Sequence, residues 1–436
     1  MEKFDVVIKG KFLISFKHGI IENGIVGIKG SRIEKVFKEG ELEYEAVQNL
    51  GGDDYIVMPG LVNTHTHAAM IVFRGLADDL PLFEWLQKYI WPAEGKFVRE
   101  DFIRKAVPVA ATEMISTGTT TMGDIYFYQN EAAEVLAEIG LRSVLAEGII
   151  NFPTPTASNW KKQIDYTKNF IKDWIGHEVI KPSIGPHAPY TTTPEILKRS
   201  MEIGEKYNIP VQIHVAETKG EVDEIIKKFG KTPVRYLDSI GFLNKLVVAA
   251  HSVWLDDEEI DIYVDKQVGI ASCPQSNAKL ASGVAPHKKF IEKGAKLGLG
   301  TDGDASNNSL DMFQEMKFTA LICKVISEDP TSCPAVEILR AATLTGARVL
   351  GYYDLGDLRE GYLADVITVK INQPHSIPVY NPVSHLVYAT KGTDVNDVVI
   401  NGKIVYVNKE FKTIDIEQAM TEFSRIVQKI NDKYNR

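Results

Sequence analysis

The tripeptide His65-Thr66-His67 follows the run Met58-Pro59-Gly60-Leu61-Val62-Asn63-Thr64. On a strand, two imidazoles two residues apart project from the same face, because strand side chains alternate with period 2. Neutral imidazole nitrogens held side by side suit a divalent ion such as zinc. A His-x-His pair is common enough by chance to mean little alone. Here further candidate ligands follow in order: His214, His251 and Asp302, each just past an apolar run. Three histidines and an aspartate can hold one divalent ion and leave a position for water, whose pKa such an ion lowers toward neutrality. Glu217 lies three residues after His214. It is close to such a centre without being needed as a ligand, and is placed to carry a proton from water to a substrate. Read singly, each of these residues is equally an ordinary buried polar side chain, and Glu217 a helix-cap or surface carboxylate. Their shared order and placement give them weight.

Apolar runs position these side chains. Residues 55–62 read as a strand that breaks at Asn63. Residues 118–123, 142–148, 179–184, 210–214, 246–250, 268–271 and 295–300 are short and nearly continuous in apolar, β-branched or small residues, as parallel strands buried on both faces require. Amphipathic segments long enough for helices lie between most of them, at 100–116, 130–139, 159–175, 194–207 and 286–293. Eight strands alternating with helices predict a (β/α)₈ barrel, over residues 58–357. Such barrels carry their chemistry at the C-terminal ends of the strands, where His65, His67, His187, His214, His251 and Asp302 all fall.

The two chain ends differ from the middle. Residues 5–9, 25–29 and 32–37, and again 365–370, 398–400 and 403–407, alternate in polarity between Gly and Asn turns. The last two are joined by the hairpin signal Asn401-Gly402. These ends predict a small β-sandwich assembled from residues 1–57 and 358–436, with a closing amphipathic helix at 417–433. Two unrelated β extensions are the alternative.

The composition is that of a globular enzyme. The chain has 436 residues, 44% of them hydrophobic, and a net charge of −9. That charge argues against nucleic acid or an anionic membrane as the main partner. The three cysteines, Cys273, Cys323 and Cys333, have no metal-type spacing and read as reduced thiols. No stretch reaches the length of a membrane span, and Met1-Glu2-Lys3-Phe4-Asp5 does not begin a signal peptide, so a cytoplasmic protein is expected. A homo-oligomer is a general expectation for enzymes.

The segments Pro59-Gly60-Leu61-Val62-Asn63-Thr64-His65-Thr66-His67, His214-Val215-Ala216-Glu217, His251, and Gly300-Thr301-Asp302-Gly303 followed by Ala305-Ser306-Asn307-Asn308-Ser309 resemble the amidohydrolase superfamily. Within it they are most similar to the deaminase and chlorohydrolase branch, and there to the 5′-methylthioadenosine/S-adenosylhomocysteine deaminases. The resemblance spans essentially the whole chain. It implies hydrolytic removal of the 6-amino group of an adenine nucleoside. One metal per subunit, zinc first among candidates, would be held by His65, His67, His214 and Asp302. Binuclear relatives use a bridging lysine after the fourth strand, where this chain reads Ser183-Ile184-Gly185-Pro186-His187. The resemblance further implies that Glu217 protonates ring nitrogen N1, that Asp302 also accepts a proton, and that His251 orients the attacking hydroxide rather than ligating the ion. Glu94, in Trp91-Pro92-Ala93-Glu94, matches a residue that accepts the two ribose hydroxyls, a good use of one carboxylate for two donors. His187 matches a second nucleoside contact. Trp85 suits a pocket wall and equally a core position.

One region departs from the family pattern. Some relatives that accept S-adenosylhomocysteine use arginines after the third strand to hold its carboxylate, whereas residues 146–157 here contain none. Glu147 would repel that carboxylate if it faced the pocket, and Phe152 with its flanking prolines suits an apolar 5′ group, which favours methylthioadenosine. Other readings within the branch are a guanine or cytosine deaminase and a halotriazine hydrolase, against which a ribose-binding Glu94 counts. A non-catalytic protein of the same fold is a third reading, against which the full ligand set and Glu217 count.

Overall fold

The computed structural model describes residues 1–434. The N-terminal alternating segments form β1 (Glu2–Ser15), β2 (Gly19–Lys29), β3 (Arg32–Lys38) and β4 (Tyr44–Pro59). Eight strands follow: β5 (Leu61–Thr66), β6 (Thr119–Tyr126), β7 (Arg142–Ile149), β8 (Ile180–Pro186), β9 (Val211–Val215), β10 (Val247–His251), β11 (Gly269–Ser272) and β12 (Lys296–Leu299). The chain then returns to β13 (Val366–Lys370), β14 (Val395–Ile400), β15 (Lys403–Val407) and β16 (Glu410–Phe411).

Strands β5 to β12 lie side by side in sequence order, paired in parallel. At the seam the Asp302 amide donates to the His65 carbonyl at 3.0 Å, bringing the end of β12 back to β5. This is the expected barrel. Helices cover it, among them Glu100–Ser116 and Pro194–Tyr207. The second starts at Thr193, whose hydroxyl accepts from the Ile196 amide, with Pro194 at the first helical position where its missing N–H costs nothing.

The two chain ends share one eight-stranded mixed sheet, in the order β16-β15-β14-β13-β4-β1-β2-β3. Strand β13 pairs antiparallel with β4, and β1 pairs with β4 in parallel. Val6, Ile8, Leu13, Val26 and Val57 from the first end bury their side chains with Val366 and Val399 from the second. The Asn401-Gly402 turn has φ of 53° and 75°, the left-handed pair that a two-residue hairpin needs. The sheet is fastened to the barrel floor by Arg142, fully buried, whose Nε and Nη2 each donate to Asp365 at 2.9 Å. The closing helix Ile416–Tyr434 packs on the barrel helix Glu100–Ser116.

Two expectations need correction. The run 55–62 is not one strand. Residues 55–59 complete β4 in the mixed sheet, and β5 starts after Gly60, where a Cβ would sit 2.1 Å from the Thr120 hydroxyl. Asn63 does not end the strand, because its polar side chain is satisfied inside the barrel. Its Nδ2 donates to Thr301 Oγ1 at 2.7 Å, and its Oδ1 accepts from the Thr301 amide at 3.0 Å. The cysteines are not three thiols. Cys323 and Cys333 form a disulfide, and Cys273 alone is free and buried. The helix Met312–Ser327 ends at Glu328 with φ 49°, the chain doubles back, and Lys324 Nζ binds the Ser332 carbonyl, which brings the two sulfurs together. Among the described residues, no helix is long and apolar enough to cross a membrane.

Candidate active site

The C-terminal ends of the barrel strands converge on one cavity of about 370 Å³. His67, Glu94, His187, His214, Glu217, His251 and Asp302 all line it, and His65 is buried just behind. Trp85 forms part of the wall and is also nearly fully buried, so both readings of it hold.

Four residues in three of the turns that present these groups have backbone conformations that L-residues seldom adopt. Ala216, His251, Ser252 and Asp302 have φ of 51°, 68°, 54° and 63°. Such strain persists only where the surroundings enforce it, and it clusters at functional sites. At the β9 turn the enforcing group is Glu221, whose carboxyl accepts from the Ala216 amide at 3.1 Å and the Glu217 amide at 2.8 Å. At the end of β12, Gly300 lets the backbone approach His65 so closely that a Cβ would lie 2.7 Å from its amide nitrogen.

The histidines are fixed through their second nitrogens. His67 Nδ1 bonds the Ile125 carbonyl, and His214 Nδ1 bonds the His187 carbonyl at 2.8 Å. Donation to a carbonyl places the proton on Nδ1 and leaves Nε2 with a free lone pair. The two Nε2 atoms then face each other at 3.4 Å. His65 Nε2 is buried without a partner, 3.6 Å from Asp302 Oδ1, while His67 Nε2 is 3.2 Å from the same oxygen. Converging lone pairs beside a buried carboxylate need a cation among them. Donor atoms of His65, His67 and Asp302 lie within 4.8 Å of one another, as do those of His65, His214 and His251. The donor set therefore fits a divalent ion of the zinc type.

With no ion bound, a proton on His67 takes the place of the cation. Burial opposes charge on His67, yet Asp302 and the Ile125 carbonyl raise it to about 9. Burial and neighbouring imidazoles push His65 and His214 well below the usual histidine range, and His187 down to about 3. Burial alone would raise Asp302, but His67 and the other imidazoles hold it well below the carboxylate range. Its Oδ2 accepts from the Ser276 hydroxyl at 2.6 Å and the Ser306 hydroxyl at 2.8 Å, leaving Oδ1 toward the histidines.

Burial raises the Glu217 carboxyl, and its Oε2 lies 3.6 Å from His251 Nε2. A carboxyl raised by burial and set beside the histidine cluster is placed to take and give a proton. His251 is oriented by Asn277, whose Oδ1 is 2.9 Å from Nδ1. His187 Nδ1 pairs with the Thr191 hydroxyl at 2.9 Å. Glu94 is buried in the cavity wall. Desolvation raises it to about 7 against the opposing pull of the Tyr126 hydroxyl and the His67 charge. The lysine of β8, Lys181, does not approach the site, since its Nζ bonds the Gly351 carbonyl and lies over the Tyr352 ring.

Glu147 requires a correction. It does not face the cavity. It points outward from β7, accepts from Thr156 Oγ1 at 2.6 Å and from the Gln129 amide at 3.2 Å, and is raised to about 8 by burial. Its neighbours Phe152, Pro153 and Pro155 do line the cavity, and none of the described lining residues is Lys or Arg. Sequence reasoning misses Glu221, Ser276 and Asn277, and it gives Ser306 no role beyond its place in the Ala305–Ser309 motif. Ser276 and Asn277 follow β11 as Glu217 follows β9, and Ser306 follows Asp302 by four residues. Position after a strand end was the available signal.

Comparison with known proteins agrees with this geometry. A model of the amidohydrolase family matches residues 56–405. A protein of Thermodesulfovibrio yellowstonii named 5-methylthioadenosine/S-adenosylhomocysteine deaminase is 40% identical, over 95% of this chain and 96% of its own. One of the same name from Dictyoglomus turgidum is 43% identical, over 94% of each chain. The crystal structure of an adenosine deaminase from Xanthomonas campestris with bound zinc superposes with a TM-score of 0.97, at 32% identity and 99% coverage of both chains.

Proposed function

The chain belongs to the amidohydrolase family, and from that premise we propose that it deaminates 5′-methylthioadenosine and S-adenosylhomocysteine, water replacing the 6-amino group to give the inosine-type product and ammonia. The observation that carries this reading is one cavity with a proton-carrying carboxyl, Glu217, against the histidine cluster and a second buried carboxyl, Glu94, in an otherwise largely apolar wall. The catalytic unit is the expected span 58–357 less Met58 and Pro59, which close β4 of the mixed sheet; the two chain ends support it, and its setting is the cytoplasm.

In this reading His65, His67, His214 and Asp302 hold one divalent ion per chain, zinc first. An ion bound there supplies Lewis acidity, bringing water within reach of deprotonation near neutral pH. The turning away of Lys181 supports a single ion, since no lysine is left to bridge two. Glu217 takes a proton from the attacking water and delivers it to ring nitrogen N1 as the oxygen adds to C6. Asp302 takes the second proton and passes it to the departing amine. His251, held by Asn277, keeps its free Nε2 toward Glu217 and aligns the water. Glu94 accepts the 2′- and 3′-hydroxyls as an anion, while His187 and Trp85 border the nucleoside.

The apolar segment at Phe152 favours a small 5′ group, so methylthioadenosine is the better of the two substrates. The test is ammonia release from a panel of both nucleosides, guanine, cytosine and a halotriazine by metal-loaded protein. Turnover of the two nucleosides above the free bases and the triazine is expected. A free base or triazine as the preferred substrate would overturn the reading.

A further inference from the structure

The helix Met312–Ser327 lies on the outside of the barrel and buries Met312, Phe313, Met316, Ala320 and Cys323 inward. The opposite face of such a helix is ordinarily polar. Here it carries Phe318, Leu321, Ile322 and Val325, at the i, i+3, i+4, i+7 spacing of one stripe. Leu321 is 46% and Val325 69% exposed, and Phe318 and Ile322 are half-buried along the edge. Lys324, beside the stripe, does not lay its charge over it, because its Nζ is folded back onto the Ser332 and Cys333 carbonyls. The Cys323–Cys333 disulfide ties this end of the helix to the next segment, so the stripe is held firm.

The two ends of the stripe carry opposite charges. Lys317 is exposed one turn before Leu321, and Glu328 is exposed at the C-terminal cap. Neither forms an ion pair among the described residues. A face with an apolar centre, a free cation at one end and a free anion at the other complements itself when turned through two-fold symmetry. Antiparallel packing about Leu321 sets Leu321 against its own copy and Lys317 toward Glu328 of the second copy. Parallel packing would set like charges together.

We propose that this face is the two-fold interface of a homodimer, with Met312–Ser327 packed antiparallel on its own copy. The inference does not depend on the reaction proposed above.

Sedimentation velocity of the full chain tests it. A dimer at micromolar concentration is expected. Leu321→Asp should raise the dissociation constant by about 100-fold or more, as loss of a central apolar contact does, with an unchanged circular dichroism spectrum. Lys317→Glu should weaken the dimer, and adding Glu328→Lys should restore it. Leu321→Cys should cross-link to its own copy under mild oxidation, with the other three cysteines either bonded or buried, whereas Gln314→Cys should not. A monomer at every concentration, or a dimer indifferent to Leu321→Asp, would overturn the proposal.

Discussion

Lowering the pH should remove ribose recognition. Glu94 is buried and titrates at about 7 in the free protein. To accept two ribose hydroxyls it must be an anion. Hydrogen bonds to a charged group contribute about 1.5–3 kcal/mol each, so above pH 8 a ribonucleoside should be preferred over its 2′,3′-dideoxy analogue by roughly 10²–10⁴-fold. Folding has raised this pKa, so the carboxyl is neutral below it and the preference is lost as pH falls. At one unit below the pKa, ionising Glu94 costs about 1.4 kcal/mol, a factor of about ten. The ratio of kcat/KM for 5′-methylthioadenosine to that of its dideoxy analogue should therefore halve near pH 7 and drop about tenfold per unit below it. Titration of Glu217 or the histidines acts on both substrates and cancels in the ratio. Glu94→Gln should make the ratio small and flat. A ratio that stays constant from about pH 5.5 to 8.5 in the unmodified protein, or that keeps its slope in Glu94→Gln, would refute the assignment.

Glu217→Gln should retain metal and substrate binding yet lose about 10²–10⁴-fold in kcat; most of the activity surviving in a steady-state assay would show that Glu217 is not the proton carrier. Methylthioadenosine should exceed S-adenosylhomocysteine in kcat/KM by about tenfold or more, since no Lys or Arg is among the described residues lining the cavity to meet the homocysteine carboxylate, and Phe152→Arg should narrow that gap; the opposite order of substrates would contradict the reading of this end of the cavity. Asp365→Ala should destabilise the fold by about 3–5 kcal/mol, because it strands the buried Arg142 charge; equilibrium denaturation showing less than about 1 kcal/mol would mean the barrel and the mixed sheet are not joined through that pair.

Much of this architecture is legible in the chain because parallel barrel strands are continuous apolar runs and the helices between them are amphipathic. The histidines stand out because His and Asp interrupt those runs at their C-terminal ends. The same continuity hides other features. A strand buried on both faces has no polar–apolar alternation, so the sequence does not show that Glu147 points away from the cavity while Gly148 borders it. Gly60 alone separates β4 from β5 within an apolar run, and nothing local marks it as a change of sheet. Glu221, Ser276, Asn277 and Ser306 act through contacts made by loops that only the folded barrel brings together. The Cys323–Cys333 pair depends on a helix ending in a left-handed cap and a reversal of the chain, neither of which a ten-residue spacing announces.

The central claim joins one histidine-bound ion to deamination of an adenine nucleoside. Titrating the metal-free protein with zinc while following the adenine absorbance of 5′-methylthioadenosine tests both halves at once. Activity should rise linearly to about one equivalent per chain, in keeping with a site of three histidines and one aspartate, and then remain level, with ammonia released in step. Continued rise to two equivalents would contradict the single-ion site, and an unchanged adenine band at every zinc level would contradict the deaminase.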